Sequence, residues 1–312
     1  MNISFIFPGQ GAQFVGMAKD FFHNSSAAKE CFLEANDILG YDLSSICFEG
    51  PEDKLPSTDI AQPAIYVSSL ATIAALEEKI AEKIVLDQTA GLSLGEYTAM
   101  AAAQVFSFAD GLKLVELRGK AMQKASQEKP SSMTSVMGLD KESLDHICEK
   151  TEDETNKICQ VANLNSPGQI VVSGELEALD IFEKLALESG ARRVIRLTVS
   201  GAFHSEVMRP ASEQLRSALK STKFKTPICP VWQNATAESS TDLQLLRENL
   251  ALQLCSPVLW QESFLRMSNN YTGVFVEPAP GKVLSAMAKK INRESIVIPL
   301  PEYQYISELL QT

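Results

Sequence analysis

The stretch Gly91-Leu92-Ser93-Leu94-Gly95 decides the fold. Ahead of it runs Ile84-Val85-Leu86, short, β-branched and apolar; behind it runs Glu96-Tyr97-Thr98-Ala99-Met100-Ala101-Ala102-Ala103, strong helix-forming sequence. A strand that turns sharply into a helix through Gly-x-Ser-x-Gly holds its serine in a strained backbone conformation. The flanking glycines remove side chains that would collide, so the Ser93 hydroxyl projects into the open. The helix aims its first N–H groups at the same place, where an oxyanion would form. The pattern predicts a nucleophile elbow; an ordinary glycine-rich strand–helix turn is the plainer alternative.

Working outward, Ile3–Phe7 reads as a first strand that runs into Pro8-Gly9-Gln10-Gly11-Ala12-Gln13. As a dinucleotide fingerprint this turn fails, because its third glycine would fall at Phe14. Helical sequence covers Ala27–Leu39 and the long segment Gln62–Ile84. Ser107-Phe108-Ala109-Asp110 caps a helix that extends to about Ser126.

Composition shifts at Gln127-Glu128-Lys129-Pro130-Ser131-Ser132, which reads as a linker. Beyond it come a strand at Ser135–Leu139 and a helix at Lys141–Lys150 capped by Asp140. Strands at Ile158–Ala162 and Gln169–Val172 follow, around an Asn163–Gly168 turn. A helix at Leu176–Glu188 closed by Gly190 and a strand at Arg193–Val199 complete the set. The order β-α-β-β-α-β predicts a ferredoxin-like unit inserted into the larger fold. The expected division is a large α/β unit over 1–128 and 200–312, with a mostly parallel sheet, and a small unit over 129–199. The larger fold resumes with helix Ser205–Lys220, a strand at Val231, helix Leu243–Leu254, strand Gly273–Glu277 and helix Val283–Ile291.

The 312 residues carry a net charge of −11 and are 45% hydrophobic. The acidic balance argues against nucleic acid and against anionic membranes as partners. Six cysteines without a CxxC pair read as reduced thiols, not a disulfide framework. The N-terminus lacks a basic segment followed by an apolar run, and no stretch reads as long and uncharged enough to span a bilayer, so a cytoplasmic protein is expected. No metal-ligand spacing appears, and no cofactor is expected.

A serine nucleophile needs a base, and the chain has three histidines. His146 lies on the polar side of its helix and His23 in a polar loop; both read as solvated. His204 differs: it follows a strand through Ser200-Gly201-Ala202-Phe203 and opens a helix, at the end of a sheet where α/β proteins place ligands. A helix N-terminus would keep its ring neutral, and a rate rising with pH near the ordinary histidine value of about 6.5 is expected. A structural role is the alternative. Arg118 falls on the flank of the stripe Phe108, Leu112, Val115, Met122. It either snorkels to solvent or clamps a carboxylate with two parallel bonds.

Four separated segments carry a resemblance: Phe7-Pro8-Gly9-Gln10-Gly11-Ala12-Gln13, Gly91 to Tyr97, Gly201-Ala202-Phe203-His204-Ser205 and Gln253-Leu254-Cys255-Ser256-Pro257-Val258. In this order they resemble malonyl-CoA:acyl-carrier-protein transacylases of bacterial fatty acid synthesis and the acyltransferase domains of polyketide synthases. The resemblance implies a hydrolase-like α/β domain with a ferredoxin-like insert. It also implies a ping-pong reaction with malonyl-CoA and the phosphopantetheine thiol of acyl carrier protein as substrates. By resemblance Ser93 is the nucleophile, His204 the base, and Gln10 and the Leu94 N–H the oxyanion donors. Arg118 binds the malonyl carboxylate and the Gln253 carbonyl orients the histidine. Asn165 lies in a turn facing the cleft, and Phe203 matches the malonyl-selective form. The sequence departs at Leu92, where the family has histidine, and at Ala279 in Glu277-Pro278-Ala279-Pro280-Gly281, where it has glycine.

A serine hydrolase that passes the acyl group to water shares the same elbow, and a non-catalytic carrier-binding scaffold shares the same fold. Carrier loading against hydrolysis separates the first, and fluorophosphonate labelling the second. A monomer is expected. Acyl carrier proteins are acidic like this chain, so a local basic patch is expected at the mouth. Arg192 and Arg193 are one candidate cluster; Lys282, Lys289, Lys290 and Arg293 are the other.

Overall fold

A computed structural model describes residues 2–80, 85–199 and 201–311. Among these residues ten strands form two sheets. The larger contains β1 (Asn2–Phe7), β2 (Val85–Gly91), β7 (Val231–Gln233), β8 (Glu238–Ser240), β9 (Val274–Pro278) and β10 (Val297–Leu300), in the order β10-β9-β1-β2-β7-β8. All its pairings are parallel except the β7–β8 hairpin. The smaller contains β3 (Ser131–Met137), β4 (Cys159–Ser166), β5 (Gln169–Glu175) and β6 (Arg193–Arg196), in the order β4-β5-β3-β6, antiparallel throughout. Helices Lys141–Thr155 and Leu176–Glu188 lie between its strands in sequence, which is the ferredoxin-like order.

The elbow is forced by close approach. A Cβ on Gly91 would lie 1.9 Å from the Gly95 carbonyl carbon, and one on Gly95 would lie 2.2 Å from the Phe7 oxygen. The helix Leu94–Ala102 therefore starts directly against the ends of β1 and β2. Ser93, between them, takes φ 53° and ψ −104°, a conformation that costs side-chain-bearing residues about 1–3 kcal/mol.

Several sequence expectations shift. The helix capped by Ser107 runs to Glu128, and β3 starts at Ser131, so the linker shrinks to Lys129-Pro130. The expected Asn163–Gly168 turn is only Pro167-Gly168. β4 continues through Asn163 and Asn165 because the Leu164 N–H donates to the Val258 carbonyl (2.9 Å) and β5 pairs alongside. β6 is shorter than expected, ending at Arg196. His23 sits on a short helix, Lys19–Asn24, instead of a loop. The long helix is Thr58–Lys79; Ile84 and Ser200, which the sequence reading also used, lie outside the described residues. That helix meets the length and composition of a membrane span, contrary to expectation. It is a core helix, with 78% of its apolar window buried inside the protein.

Among the described residues the six cysteines are all free. Burial pushes the thiols of Cys31 and Cys229 up to about 11 and about 12, and raises Cys47 and Cys255 as well. The Cys148 thiol is raised first by its contact with Cys159, 3.8 Å away, and then by burial.

Candidate active site

A cavity of about 420 Å³ lies between the turns that follow β1 and β2 (Gly9–Ala12, Leu92 and Ser93) and the smaller sheet, whose Met133, Asn163, Asn165, Gln169 and Val171 line it. Ser93 and His204 meet there: the serine Oγ is 2.7 Å from His204 Nε2. His204 Nδ1 lies 2.9 Å from the Gln253 backbone oxygen. A carbonyl only accepts, so Nδ1 carries the hydrogen and Nε2 is left to accept the serine proton. Like Ser93, His204 has a left-handed backbone (φ 59°).

The histidine is buried, and burial first, then the Arg118 charge, lowers its pKa to about 4; the Gln253 and Ser256 backbone groups pull the other way. The ring is thus neutral, as expected, for a different reason. A three-residue 3₁₀ turn, Glu206–Met208, capped by Ser205, separates it from the helix Arg209–Ser221, which the sequence reading starts at Ser205, and burial is the first cause of the neutrality.

Arg118 is neither snorkelling nor on a flank: it is 1% exposed. The helix Phe108–Glu128 packs against Thr58–Lys79 so closely that a Cβ on Gly119 would lie 2.8 Å from the Thr58 oxygen, and this carries Arg118 inward. Its Nη1 donates to Gln62 Oε1 (2.8 Å) and its Nη2 to Ser93 Oγ (3.1 Å) and Gln253 Oε1 (3.0 Å). The Tyr97 ring lies beneath it, 5.4 Å from the guanidinium carbon. Burial lowers its pKa. Arg118 and Ser93 both line the cavity, so a fixed positive charge lies beside the nucleophile.

Gln253 is itself buried, and its side chain lies behind the cavity surface. Besides the carbonyl contact with His204 that the resemblance implies, it ties the cluster together: its Nε2 donates to the Ser93 carbonyl (2.9 Å) and to Glu96 Oε2 (2.7 Å). Gln10 lines the cavity; its Nε2 donates to Thr58 Oγ1 (3.3 Å) and its Oε1 is buried without a partner. Leu94 is the first residue of its helix, so its N–H has no intrahelical acceptor. Asn165 lines the opposite side, its Oδ1 buried without a partner. Phe203 closes the wall beside His204.

Leu92 lines the cavity as an apolar residue. Its carbonyl would lie 2.5 Å from a Cβ on Gly9, which fixes the first glycine-rich turn against the elbow. Ala279 is not among the residues with left-handed φ, so the missing glycine there imposes no strain. Its carbonyl accepts from Ser69 Oγ (2.7 Å). His146 and His23 are exposed. Arg192, Arg193, Lys282, Lys289, Lys290 and Arg293 are exposed and none lines the cavity, although Val283 and Met287 of the Val283–Ile291 helix do. Among the described residues no group of three or more His, Cys, Asp or Glu side chains is placed to hold a metal ion.

Two residues escape the sequence reading. Asn234, after β7, accepts the Ser93 N–H on its Oδ1 (2.6 Å) and donates its Nδ2 to the Gly91 carbonyl (2.7 Å), clamping both sides of the elbow. Glu96 is fully buried; besides Gln253 it accepts the Asn234 N–H (3.0 Å). Burial raises its carboxyl to about 7 against the opposing pull of Gln253, Asn234 and Arg118.

The model of the acyl transferase domain family matches residues 4–306. The malonyl CoA-acyl carrier protein transacylase of Bacillus subtilis (strain 168) is 41% identical over all of this chain and 97% of its own length. The acyl-carrier-protein-S-malonyltransferase of Bartonella henselae superposes with a TM-score of 0.94 at 36% identity, covering 100% of this chain and 99% of the other. A malonyl-transacylase solved in complex with a type II PKS acyl-carrier protein superposes equally well, with a TM-score of 0.94 at 34% identity over 100% and 99% of the two chains. On a family match over nearly its whole length, the chain belongs to the acyl transferase domain family.

Proposed function

We propose that this protein transfers a malonyl group from malonyl-CoA to the phosphopantetheine thiol of an acyl carrier protein, through an acyl-enzyme on Ser93. The observation that carries the reading is the buried Arg118 guanidinium beside a Ser–His pair in one cavity. A carboxylate 3-carbon acyl group can place its thioester carbon at Ser93 Oγ and its free carboxylate at Arg118. The names of the relatives and of the carrier complex point to the same substrates.

In the first half-reaction His204 Nε2 takes the Ser93 proton as Oγ attacks the thioester carbonyl. The backbone N–H groups of Gln10 and Leu94 receive the oxyanion; one such donor is worth about 3–4 kcal/mol. The Gln253 carbonyl takes the place of a triad carboxylate and stabilises the imidazolium that forms. Coenzyme A leaves as the thiol with the proton from His204. The carrier's thiol then gives its proton to His204 and attacks the serine ester; the bond to Ser93 Oγ breaks, and His204 returns the proton to that oxygen. Asn165 and Phe203 bound the site for the acyl group and its pantetheine arm. The steps use only side chains, backbone and the two substrates. We further propose that the chain acts as a cytoplasmic monomer, that the unit 129–199 forms a separate lobe over the cavity, and that Arg192, Arg193, Lys282, Lys289 and Lys290 steer the acidic carrier.

Intact mass after incubation with malonyl-CoA tests this. One malonyl mass is expected on the wild type and none on Ser93→Ala, and holo carrier protein should discharge it faster than water does. An adduct that persists in Ser93→Ala, or discharge by water alone, overturns the reading.

A further inference from the structure

Arg118 is a buried cation bonded to neutral acceptors: Gln62 Oε1, Gln253 Oε1 and Ser93 Oγ. Among the described residues it makes no ion pair within 4.0 Å. The carboxylate that balances it is one amide away. Gln253 accepts Arg118 on its oxygen and donates its nitrogen to Glu96 Oε2, so a single side chain bridges cation and anion. The other carboxylate oxygen, Glu96 Oε1, is buried and without a partner. Protonation at Oε1 breaks no hydrogen bond.

A malonyl carboxylate docking on Arg118 would place a second anion in this buried cluster. Two anions on one buried guanidinium repel each other, and the anion with the poorer set of donors is the one that is neutralised. We propose that Glu96 is a proton-linked counter-charge to Arg118: as the acyl carboxylate docks, Glu96 Oε1 takes a proton from solvent, and the cluster keeps one negative charge for its one guanidinium in both states. This rests on the malonyl reading above and adds to it a coupling between substrate choice and proton uptake. Glu96 acts on substrate through Arg118 and Gln253 and is a positioning residue.

The remaining surroundings leave Arg118 as the dominant ionised neighbour. Tyr97, on the same helix, has its phenol pushed up to about 12 by burial and stays neutral. His204, across Ser93, is neutral above about pH 4. β1 and β7 carry no titratable side chain. Asp87 of β2 accepts from the Tyr271 hydroxyl near the other end of that strand. On the helix Thr58–Lys79, Asp59 accepts from Ser57, the Tyr66 hydroxyl donates to the Phe108 carbonyl, and Glu77, Glu78 and Lys79 lie at the far end. On the helix Phe108–Glu128, Asp110 bonds Ser107 and Glu116 pairs with Lys120. Lys113, Lys124 and Glu128 are exposed there. Glu96 itself is poised near neutrality, so a modest change in local charge moves its proton.

Calorimetric titration of Ser93→Ala, in buffers of different ionisation enthalpy, counts protons without turnover. At pH 8, malonyl-CoA should take up nearly one proton more per site than acetyl-CoA; at pH 5.5 the difference should vanish, because Glu96 is already protonated. Correspondingly, malonyl-CoA affinity should weaken up to about tenfold per pH unit above 7, and acetyl-CoA affinity should not. Adding Glu96→Gln should abolish both differences. Equal proton counts for the two ligands at pH 8 overturn the inference, as does an excess that survives Glu96→Gln. The Ser93→Ala data alone suffice if the double variant does not fold. A selectivity for malonyl-CoA untouched by Arg118→Ala would instead overturn the clamp on which the inference stands.

Discussion

The two walls of the cavity hold their polar groups in different states. On the wall built by β2, the elbow helix and the Gln253 turn, the polar groups are mutually engaged: Ser93 with His204, His204 with Gln253, Gln253 with Glu96 and Arg118, and Asn234 with both sides of the elbow. On the facing wall, β3 and β5 offer the apolar side chains Met133 and Val171, and β4 offers Asn165 with an unmet acceptor. The first wall is organised before substrate arrives, which is what lowers a barrier. The second is completed by the substrate and can at most select it. Substitutions at Ser93 and His204 on the first wall should therefore act on rate, those at Arg118, which meets the acyl carboxylate, on the choice of substrate, and those on the second wall or beyond it on binding.

The largest effect tests the first wall directly. Ser93→Ala should reduce carrier loading by on the order of 10⁴-fold or more, read by stopped-time radiolabel transfer; a milder loss would move the nucleophile elsewhere. His204→Ala should follow at about 10²–10⁴-fold. The acidic limb of the rate belongs to this residue: below about pH 4 Nε2 is protonated and cannot accept the serine proton, so activity falls as pH drops through that value. A pH–kcat limb near 6.5 that disappears in His204→Ala would contradict the burial argument.

Gly95→Ala probes the backbone under the first wall. Its new Cβ meets the Phe7 carbonyl at 2.2 Å, so the fold should lose about 2–4 kcal/mol in urea unfolding. An unchanged midpoint would mean the strand ends are not held as closely as the geometry requires. Arg118→Ala should cost malonyl-CoA about 10–100-fold in kcat/KM, the worth of charge-assisted bonds of about 1.5–3 kcal/mol, with acetyl-CoA much less affected. The smallest effect belongs outside both walls. Reversing charge at Arg193, Lys289 and Lys290 together should slow carrier loading a few-fold at low salt and flatten its salt dependence, leaving acylation by malonyl-CoA near normal. Equal losses in both half-reactions would tie these residues to the nucleotide end of coenzyme A instead.

Sequence reading reached the parts of the site that are local. The elbow announces itself through Gly91 and Gly95 because two close backbone approaches admit no side chain. His204 could be chosen because the alternatives are two exposed histidines. Glu96 lies inside the same motif but does not stand out, since an acid in the first turn of a helix ordinarily faces solvent and complements the helix dipole. Its burial is decided by Asn234 and Gln253, 138 and 157 residues away in sequence. The extension of β4 was hidden for a similar reason. Asn163-Leu164-Asn165-Ser166 reads as turn sequence, but the Val258 carbonyl, brought in from a distant segment, supplies the hydrogen bond that keeps it extended.

The raised thiols have a consequence for an enzyme that handles thioesters. Sulfur nucleophiles exchange acyl groups with thioesters only as thiolates. Cys31, Cys47, Cys148, Cys229 and Cys255 all have their deprotonation pushed to higher pH. Sulfur–sulfur trans-acylation at these five thiols is thereby starved of its reactive form. Among the described residues no cysteine lines the cavity, so an activated acyl group that enters it meets the oxygen of Ser93 and leaves again to a thiol that the visiting carrier brings with it.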